Sequence, residues 1–419
     1  MERIKVEVNS EIGELEAVIL HAPGPEVENM TPENAQRALY SDILNLSEVK
    51  KEYTQFKKIL EKHTTVFFVK DLLEDVLKND AVKKALLKDI FKYENVQENI
   101  SFLHSKTASE LAGQLIEGVV MKKDNLTNFF DPERYSLHPL HNFFFTRDAS
   151  TSIGNEVLIN CMANKVRERE SLIMESIFNH HPIFETQTIN PFRSRKQVPG
   201  LTSEGGDILV AREDVLLIGV GMRTSSQGID FILNHLKHQK MKKHIIVQEL
   251  PESPESFIHL DMVFTFIDKT HCMIYEPVIL SSGQLRTIHI KIQDGETLIS
   301  EEKDILSVLR KLDVNVRPIL CGGHNDPWIQ KREQWHSGTN FFAMAPGKLM
   351  GYRRNESTLE ELNKMGYAIL SAEDVINNKI DIKMYNKYVV TIFGSELARG
   401  GGGARCMTMP VKRKPVNWI

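Results

Sequence analysis

Apolar and polar positions alternate along this chain in two rhythms. LEAVILHAPG (15–24) is a nearly unbroken apolar run closed by a Pro-Gly turn, which predicts a buried strand. EVKKEYTQFKKILEKH (48–63) spaces Val49, Tyr53, Phe56, Ile59 and Leu60 along one helical face. TTVFFVKDL (64–72) returns to β-branched and aromatic residues and predicts a strand, completing a strand–helix–strand unit. From about 71 to 130 the texture changes. DLLEDVLKNDAVKKALLKDIFKYENV and TASELAGQLIEGVVM are rich in Leu, Lys and Glu, and predict a cluster of short helices inserted into an α/β chain.

Beyond residue 140 a loose repeat emerges. SIGNEVLIN leads into CMANKVRERESLIMESIF, DILVAREDVLLIG into VGMRTSSQGIDFILNHL, and NFFAMAPGKLMG into YRRNESTLEELNKM. Each unit reads as strand, tight turn, strand, arginine, amphipathic helix, and each follows a polar cluster: TRD at 146–148, EGGD at 204–207, HSGTN at 336–340. Modules of this size cannot bury their faces alone, which predicts a ring or propeller-like assembly with equivalent positions converging on an axis.

Composition narrows the class. The chain has 419 residues and a formal net charge of −4 with both signs interspersed, which argues against a nucleic-acid binder that relies on a basic face. The first twenty residues carry charges from position 2 and lack a signal-peptide pattern, and no apolar stretch is long enough to span a bilayer. Cys161, Cys272, Cys321 and Cys406 lie far apart with no CxxC pair, so neither a disulfide framework nor a structural zinc site is expected. The expectation is a reduced, cytoplasmic protein without metal, nucleic-acid partner or membrane contact.

Five stretches carry candidate chemistry. A lone cysteine is ordinarily inert packing, but Cys406 follows four consecutive glycines, Gly400 to Gly403, which read as a loop outside the core. Such a loop could close over a substrate and present a thiolate. In IHLDMVFTFID (258–268), His259 and Asp261 are spaced to share one face of a strand, and histidine suits proton transfer near neutral pH. LTSEGGDILV puts Glu204 and Asp207 on a sharp turn, and HNFFFTRDAS offers Asn142, Arg147 and Asp148. Arg167 and Arg223 hold equivalent places in two repeats and could meet one carboxylate with their planar forks. A Cys–His pair alone would indicate acyl transfer. Several carboxylates around it would repel a developing oxyanion and hold a planar cation instead. The set therefore fits a small molecule with a guanidinium at one end and a carboxylate at the other, as in free arginine.

TRD, EGGD, HLD, REQW (332–335) followed by GTN, and the terminal GGARCMTMP resemble the arginine deiminase family, in that family's order and spacing and across nearly the whole chain. The resemblance implies a guanidino-group modifying enzyme: one catalytic domain over 1–419, an α/β pseudo-fivefold propeller of ββαβ-like modules, with the 71–130 stretch as a helical insertion. It implies Cys406 as nucleophile and His259 as general acid/base. Asp148 and Asp261 would grip the guanidinium, and Glu204 would support both histidine and guanidinium. Asn142, Arg167 and Arg223 would hold the substrate carboxylate, with Asp207 in a supporting place. The implied reaction is hydrolysis of L-arginine to L-citrulline and ammonia through a covalent thiouronium, without cofactor, in a homo-oligomer.

The sequence departs from that pattern in three places. Relatives carry an arginine where this chain has Gly401, leaving Arg399 or Arg405 to substitute over the carboxylate. Ser41 stands where relatives have an acid, and AST follows TRD in place of a proline-containing turn. These departures keep other substrates open: agmatine, a methylated arginine or citrulline, for a hydrolase or an amidinotransferase. A non-catalytic arginine binder would have no use for the nucleophile, and a thiol redox sensor would lack a nearby resolving cysteine.

Overall fold

The computed structural model of the chain describes residues 3–30, 42–94, 100–194, 198–239, 242–280, 283 and 285–418; Ser41 lies outside them. The repeat takes physical form as sheets of one design. Ser150–Ile153 pairs antiparallel with Glu156–Ile159, the helix Glu168–His180 follows, and Gln187–Ile189 returns parallel to Glu156–Ile159. Ile208–Arg212, Val215–Val220, the helix Ser226–His238 and Lys243–Glu249 repeat that order. Phe342–Ala345, Lys348–Tyr352, the helix Glu356–Lys364 and Tyr388–Ile392 repeat it again.

Two further sheets of the same build carry weaker signals in the sequence. Phe264–Phe266 and His271–Ile274 form a hairpin whose parallel partner, Arg317–Leu320, comes only after the hairpin Thr287–Gln293/Glu296–Glu302. That inserted hairpin pairs with Lys243–Glu249 and widens the neighbouring sheet to five strands. The other sheet joins the chain ends. Met409–Arg413 lies antiparallel to Leu15–Leu20, the helix Leu46–His63 follows, and Thr65–Phe68 pairs parallel to Leu15–Leu20. No local pattern announces this pairing, because its first strand is the last in the chain.

Two element boundaries differ from the expectation. The strand in 64–72 stops at Phe68, and the helix Val69–Leu77 begins at once. Val69, Leu72, Leu73, Val76 and Leu77 fall at i, i+3, i+4 spacing and are buried, so helical packing overrides the local β-preference. The helices Asp80–Glu94, Ile100–His104, Ala108–Glu117 and Leu126–Phe130 follow. Thr107 caps Ala108–Glu117 in a reciprocal box with Glu110. Leu72, Leu87 and Leu115 share one apolar cluster with Ile159 and Leu172 of the first repeat, so the helix-rich stretch is packed onto that sheet.

The second difference concerns HLD. His259 and Asp261 do not share a strand face. His259 has extended backbone, Leu260–Met262 forms a 3-10 turn, and the strand begins only at Phe264. Leu260 N–H donates to the Asp207 carboxylate at 2.9 Å, which draws the segment into a turn.

Candidate active site

The glycine run is the reverse of a slack loop. Gly400, Gly402 and Gly403 are buried, and Ala404, Cys406 and Met407 belong to the apolar cluster that holds Phe56 and Phe144. A Cβ on Gly402 would stand 2.5 Å from the Phe145 ring, and one on Gly403 would stand 2.6 Å from Asn340. The glycines are there for close approach. Gly401 alone is exposed, with φ of 86° in the left-handed region.

The sulfur's backbone is pinned on both sides. Arg405 N–H and Cys406 N–H both donate to Asn340 Oδ1, at 2.9 and 3.2 Å, and Asn340 Nδ2 donates to the Asp261 carbonyl at 3.2 Å. Arg147 N–H donates to the Cys406 carbonyl at 3.1 Å. Within TRD, Arg147 therefore stitches the cysteine loop from behind, with Nη2 on Thr408 Oγ1 at 2.9 Å. GTN was legible as a motif, but the clamping role of Asn340 was not.

Cys406, His259 and Asp148 line one cavity of about 440 Å³. Glu204 and Asp261 are fully buried behind them. Glu204 Oε2 accepts from His259 Nε2 at 2.9 Å, while Oε1 accepts Ala163 N–H at 3.1 Å. Asp148 Oδ1 lies 3.8 Å from His259 Nδ1 and accepts Gly206 N–H at 3.2 Å. EGGD needs both glycines: a Cβ on Gly206 would meet His259 Nδ1 at 2.4 Å, and one on Gly205 would meet the Arg147 carbonyl oxygen at 2.0 Å. Asp261 Oδ2 accepts from Cys406 Sγ at 3.7 Å, and its Oδ1 is a buried atom without a hydrogen-bond partner among the described residues.

Charge divides the two candidate reacting groups. Burial alone would keep His259 neutral, but Asp148, the Glu204 hydrogen bond and Asp207 outweigh it and raise its pKa to about 9. Burial likewise opposes ionisation of Glu204, yet Arg223, His259 and Arg167 hold its pKa at about 2. Burial, then Asp261 and Asp148, push the Cys406 thiol well above the usual range. Near neutral pH the pair is imidazolium and thiol. Burial also raises Asp207 to about 7.

Not every expected substrate contact lies where the sequence places it. Asn142, Arg167, Arg223, Arg399 and Gly401 do line the cavity. Arg405 does not: Nε and Nη2 clamp Glu11 at 2.9 and 3.0 Å, and Nη1 meets Asp261 at 2.7 Å. It is turned into the interior and is no substitute for the family's loop arginine. Asp207 is also absent from the cavity wall, where it was expected in support of the substrate. Instead it braces the turn that carries His259. Arg167 is committed to acids, with Nη1 on Asp148 at 2.7 Å and Nη2 on Glu170 at 2.8 Å. Arg223 stands 3.6 Å from Glu204. Buried carboxylates in a poorly polarisable interior draw in the nearest guanidinium, which the sequence could not rank. At the mouth, Arg399 pairs with Asp42 (Nε, 2.9 Å) and Glu396 (Nη1, 2.9 Å), beside Met222, Trp335 and His336.

Ligand atoms of Asp148, Glu204 and His259 lie within 4.8 Å of one another, a spacing that could bridge a metal. The Arg167 guanidinium already supplies positive charge there, 2.7 Å from Asp148 and 3.8 Å from Glu204.

The fold is one shared with solved structures of low sequence identity. The N-terminal domain of ArgZ, described as an arginine dihydrolase from cyanobacteria, aligns over 95% of this chain and 97% of its own, with TM-score 0.52 and 12% identity. SxtG, an amidinotransferase from Microseira wollei, aligns over 99% and 98%, with TM-score 0.52 and 14% identity. The arginine deiminase family model matches residues 36–413. The arginine deiminase of Oenococcus oeni is 33% identical over 99% of both chains, and that of Listeria monocytogenes serotype 4a is 32% identical over 97% of both. The chain belongs to the arginine deiminase family.

Proposed function

We propose that this protein hydrolyses the guanidinium group of free L-arginine to give L-citrulline and ammonia. One observation carries the reading: Cys406 and His259 open on a single cavity with Asp148 on its wall and Glu204 and Asp261 directly behind. A carboxylate-lined thiol site is hostile to an oxyanion and suited to a flat cation. The Cys406 thiolate attacks the guanidinium carbon. Imidazolium His259, near pKa 9, gives its proton to the departing nitrogen and ammonia leaves. The remaining S-alkylthiouronium is attacked by water, one proton of which returns to His259; the carbon–sulfur bond then breaks, and the hydroxyl proton passes to the departing sulfur to give citrulline and the resting thiol. Because burial, Asp261 and Asp148 hold the free thiol protonated, much of its activation arrives with the substrate's own positive charge. Titrating thiolate absorbance with and without a substrate analogue checks this, and an unchanged apparent pKa rejects it.

In this reading Arg223, Asn142 and Arg399 receive the far carboxylate, and Arg167 orients Asp148. The five sheets act as blades around the cavity, forming one catalytic domain with 71–130 as an insertion. The enzyme works without cofactor, in the cytoplasm, as a dimer or larger oligomer. Among the described residues no helix is long and apolar enough to cross a membrane.

Citrulline formation from arginine, measured beside Cys406→Ala, tests the reaction. The variant is expected to lose activity by about 10⁴-fold or more. A Cys406→Ala protein that binds arginine as the parent does, with a parent that never forms citrulline, would establish a binding protein instead. A second reading, action on agmatine or another guanidino compound, is favoured by the bare Gly401 and by the acid partners of Arg167 and Arg399. Agmatine turned over as fast as arginine would decide for it.

A further inference from the structure

Behind the sulfur lies an ion chain that no motif announces. Glu11 belongs to the N-terminal segment, and its N–H donates to the Val210 carbonyl at 2.8 Å while its Oε1 accepts Val210 N–H at 3.2 Å. It is thereby anchored to the strand that follows EGGD. Its carboxylate takes Arg405 side-on, Oε2 from Nε at 2.9 Å and Oε1 from Nη2 at 3.0 Å. Arg405 spends its remaining nitrogen, Nη1, on Asp261 Oδ2 at 2.7 Å, the same oxygen that faces Cys406 Sγ. All three charged side chains are at most 9% exposed. A guanidinium held at both ends in this way leaves Asp261 one orientation, with Oδ2 occupied and Oδ1 unpaired.

We infer that Glu11 is a positioning residue for the reaction at Cys406: through Arg405 it sets the orientation of Asp261 and the electrostatic potential at the sulfur. This rests on the arginine-hydrolysing reading above. Glu11 faces three buried arginines, Arg405, Arg147 and Arg413, and their charges keep it ionised against burial, with a pKa of about 2. Among the groups that bear on the thiol, Asp261 and Asp148 raise its pKa and Arg405 lowers it, while Tyr352 stands close by. Removing the Glu11 charge leaves the positive field of Arg405 less compensated. The sign follows: the thiol of a Glu11→Gln protein ionises at lower pH than in the parent, and Asp261, free of a fixed neighbour, grips substrate less well in the transition state.

The test uses two readouts on the full chain. One is the pH profile of Cys406 alkylation by iodoacetamide, an uncharged probe, followed by peptide mapping without arginine present. The other is kcat and KM for citrulline formation. For Glu11→Gln we expect alkylation to shift to lower pH by at least half a unit, and kcat to fall about tenfold with KM within about twofold. Glu11→Asp keeps the charge and should restore the alkylation profile while recovering only part of kcat. It also carries the test if Glu11→Gln fails to fold, because its kcat must then fall at an unshifted alkylation profile. A folded Glu11→Gln protein with both readouts at parental values overturns the inference, as does an Asp variant with parental kcat. A parent that forms no citrulline defeats the functional reading, whereas the alkylation profile still reports on the ion chain.

Discussion

At the closed end of the cavity Cys406, His259 and Asp148 are buried and each is held by a named partner, whereas at the mouth the Arg399 side chain is 38% exposed and Met222 is 62% exposed. The closed end is locked from three directions: Asn340 on the cysteine backbone, Glu204 on the imidazole, and Arg405 on Asp261. The mouth is held by surface ion pairs, Arg399 to Asp42 and to Glu396, which solvent weakens. Geometry that must survive each turnover is built into the core. Under the proposed function, selection among substrates falls to residues that can change partners without disturbing it.

Three experiments sharpen that contrast. The largest effect is expected at the closed end. Glu204→Gln keeps the shape but removes the charge beneath His259, and should lower kcat by about a hundredfold or more. It should also move the alkaline limb of the pH–rate profile. Glu204 raises the His259 pKa, so its loss lowers it, and activity that in the parent fades as pH rises through about 9 should fade at lower pH. A variant limb at or above the parental one would show that His259 is not the acid. The stability sign is the same: a raised imidazole pKa stabilises the fold below about 6.5, and that contribution fades toward 9.

Next come the arginines. Arg223→Ala should raise KM for arginine about 10- to 100-fold, far more than for agmatine, and should lower turnover of both because Arg223 also holds Glu204 ionised; Arg399→Ala should raise KM for arginine only about three- to tenfold and leave agmatine turnover nearly unchanged. Equal effects on the two substrates would mean that neither arginine reads the carboxylate. The smallest effects separate neighbouring glycines. Gly402→Ala drives a methyl into Phe145 and should cost about 1–3 kcal/mol in urea unfolding. Gly401→Ala meets nothing within 4 Å and costs only its left-handed backbone, about 1 kcal/mol. If the order were reversed, the run would be a flexible strap after all.

Much of this site was legible because chemistry demands particular residue types. TRD, EGGD, HLD and the terminal cysteine could be picked out from their side chains and their places at strand and helix junctions. The glycines misled, because the same residue serves both freedom and close approach, and only the Phe145 ring and the Asn340 side chain decide which. Arg405 misled for a related reason. Beside a nucleophile an arginine reads as a substrate contact, yet its fork closes on Glu11, nearly four hundred positions away along the chain.

Local pattern by itself determined the hairpin–helix rhythm, the helix-rich stretch and the candidates for the reacting groups, since these depend on side-chain type and on neighbours within a few turns. Tertiary structure alone decided that the last strand completes the first sheet, that His259 sits on a turn, and which carboxylate each buried guanidinium pairs with. Those outcomes turn on distances between segments remote in sequence, and a buried charge settles on whichever opposite charge the fold brings nearest.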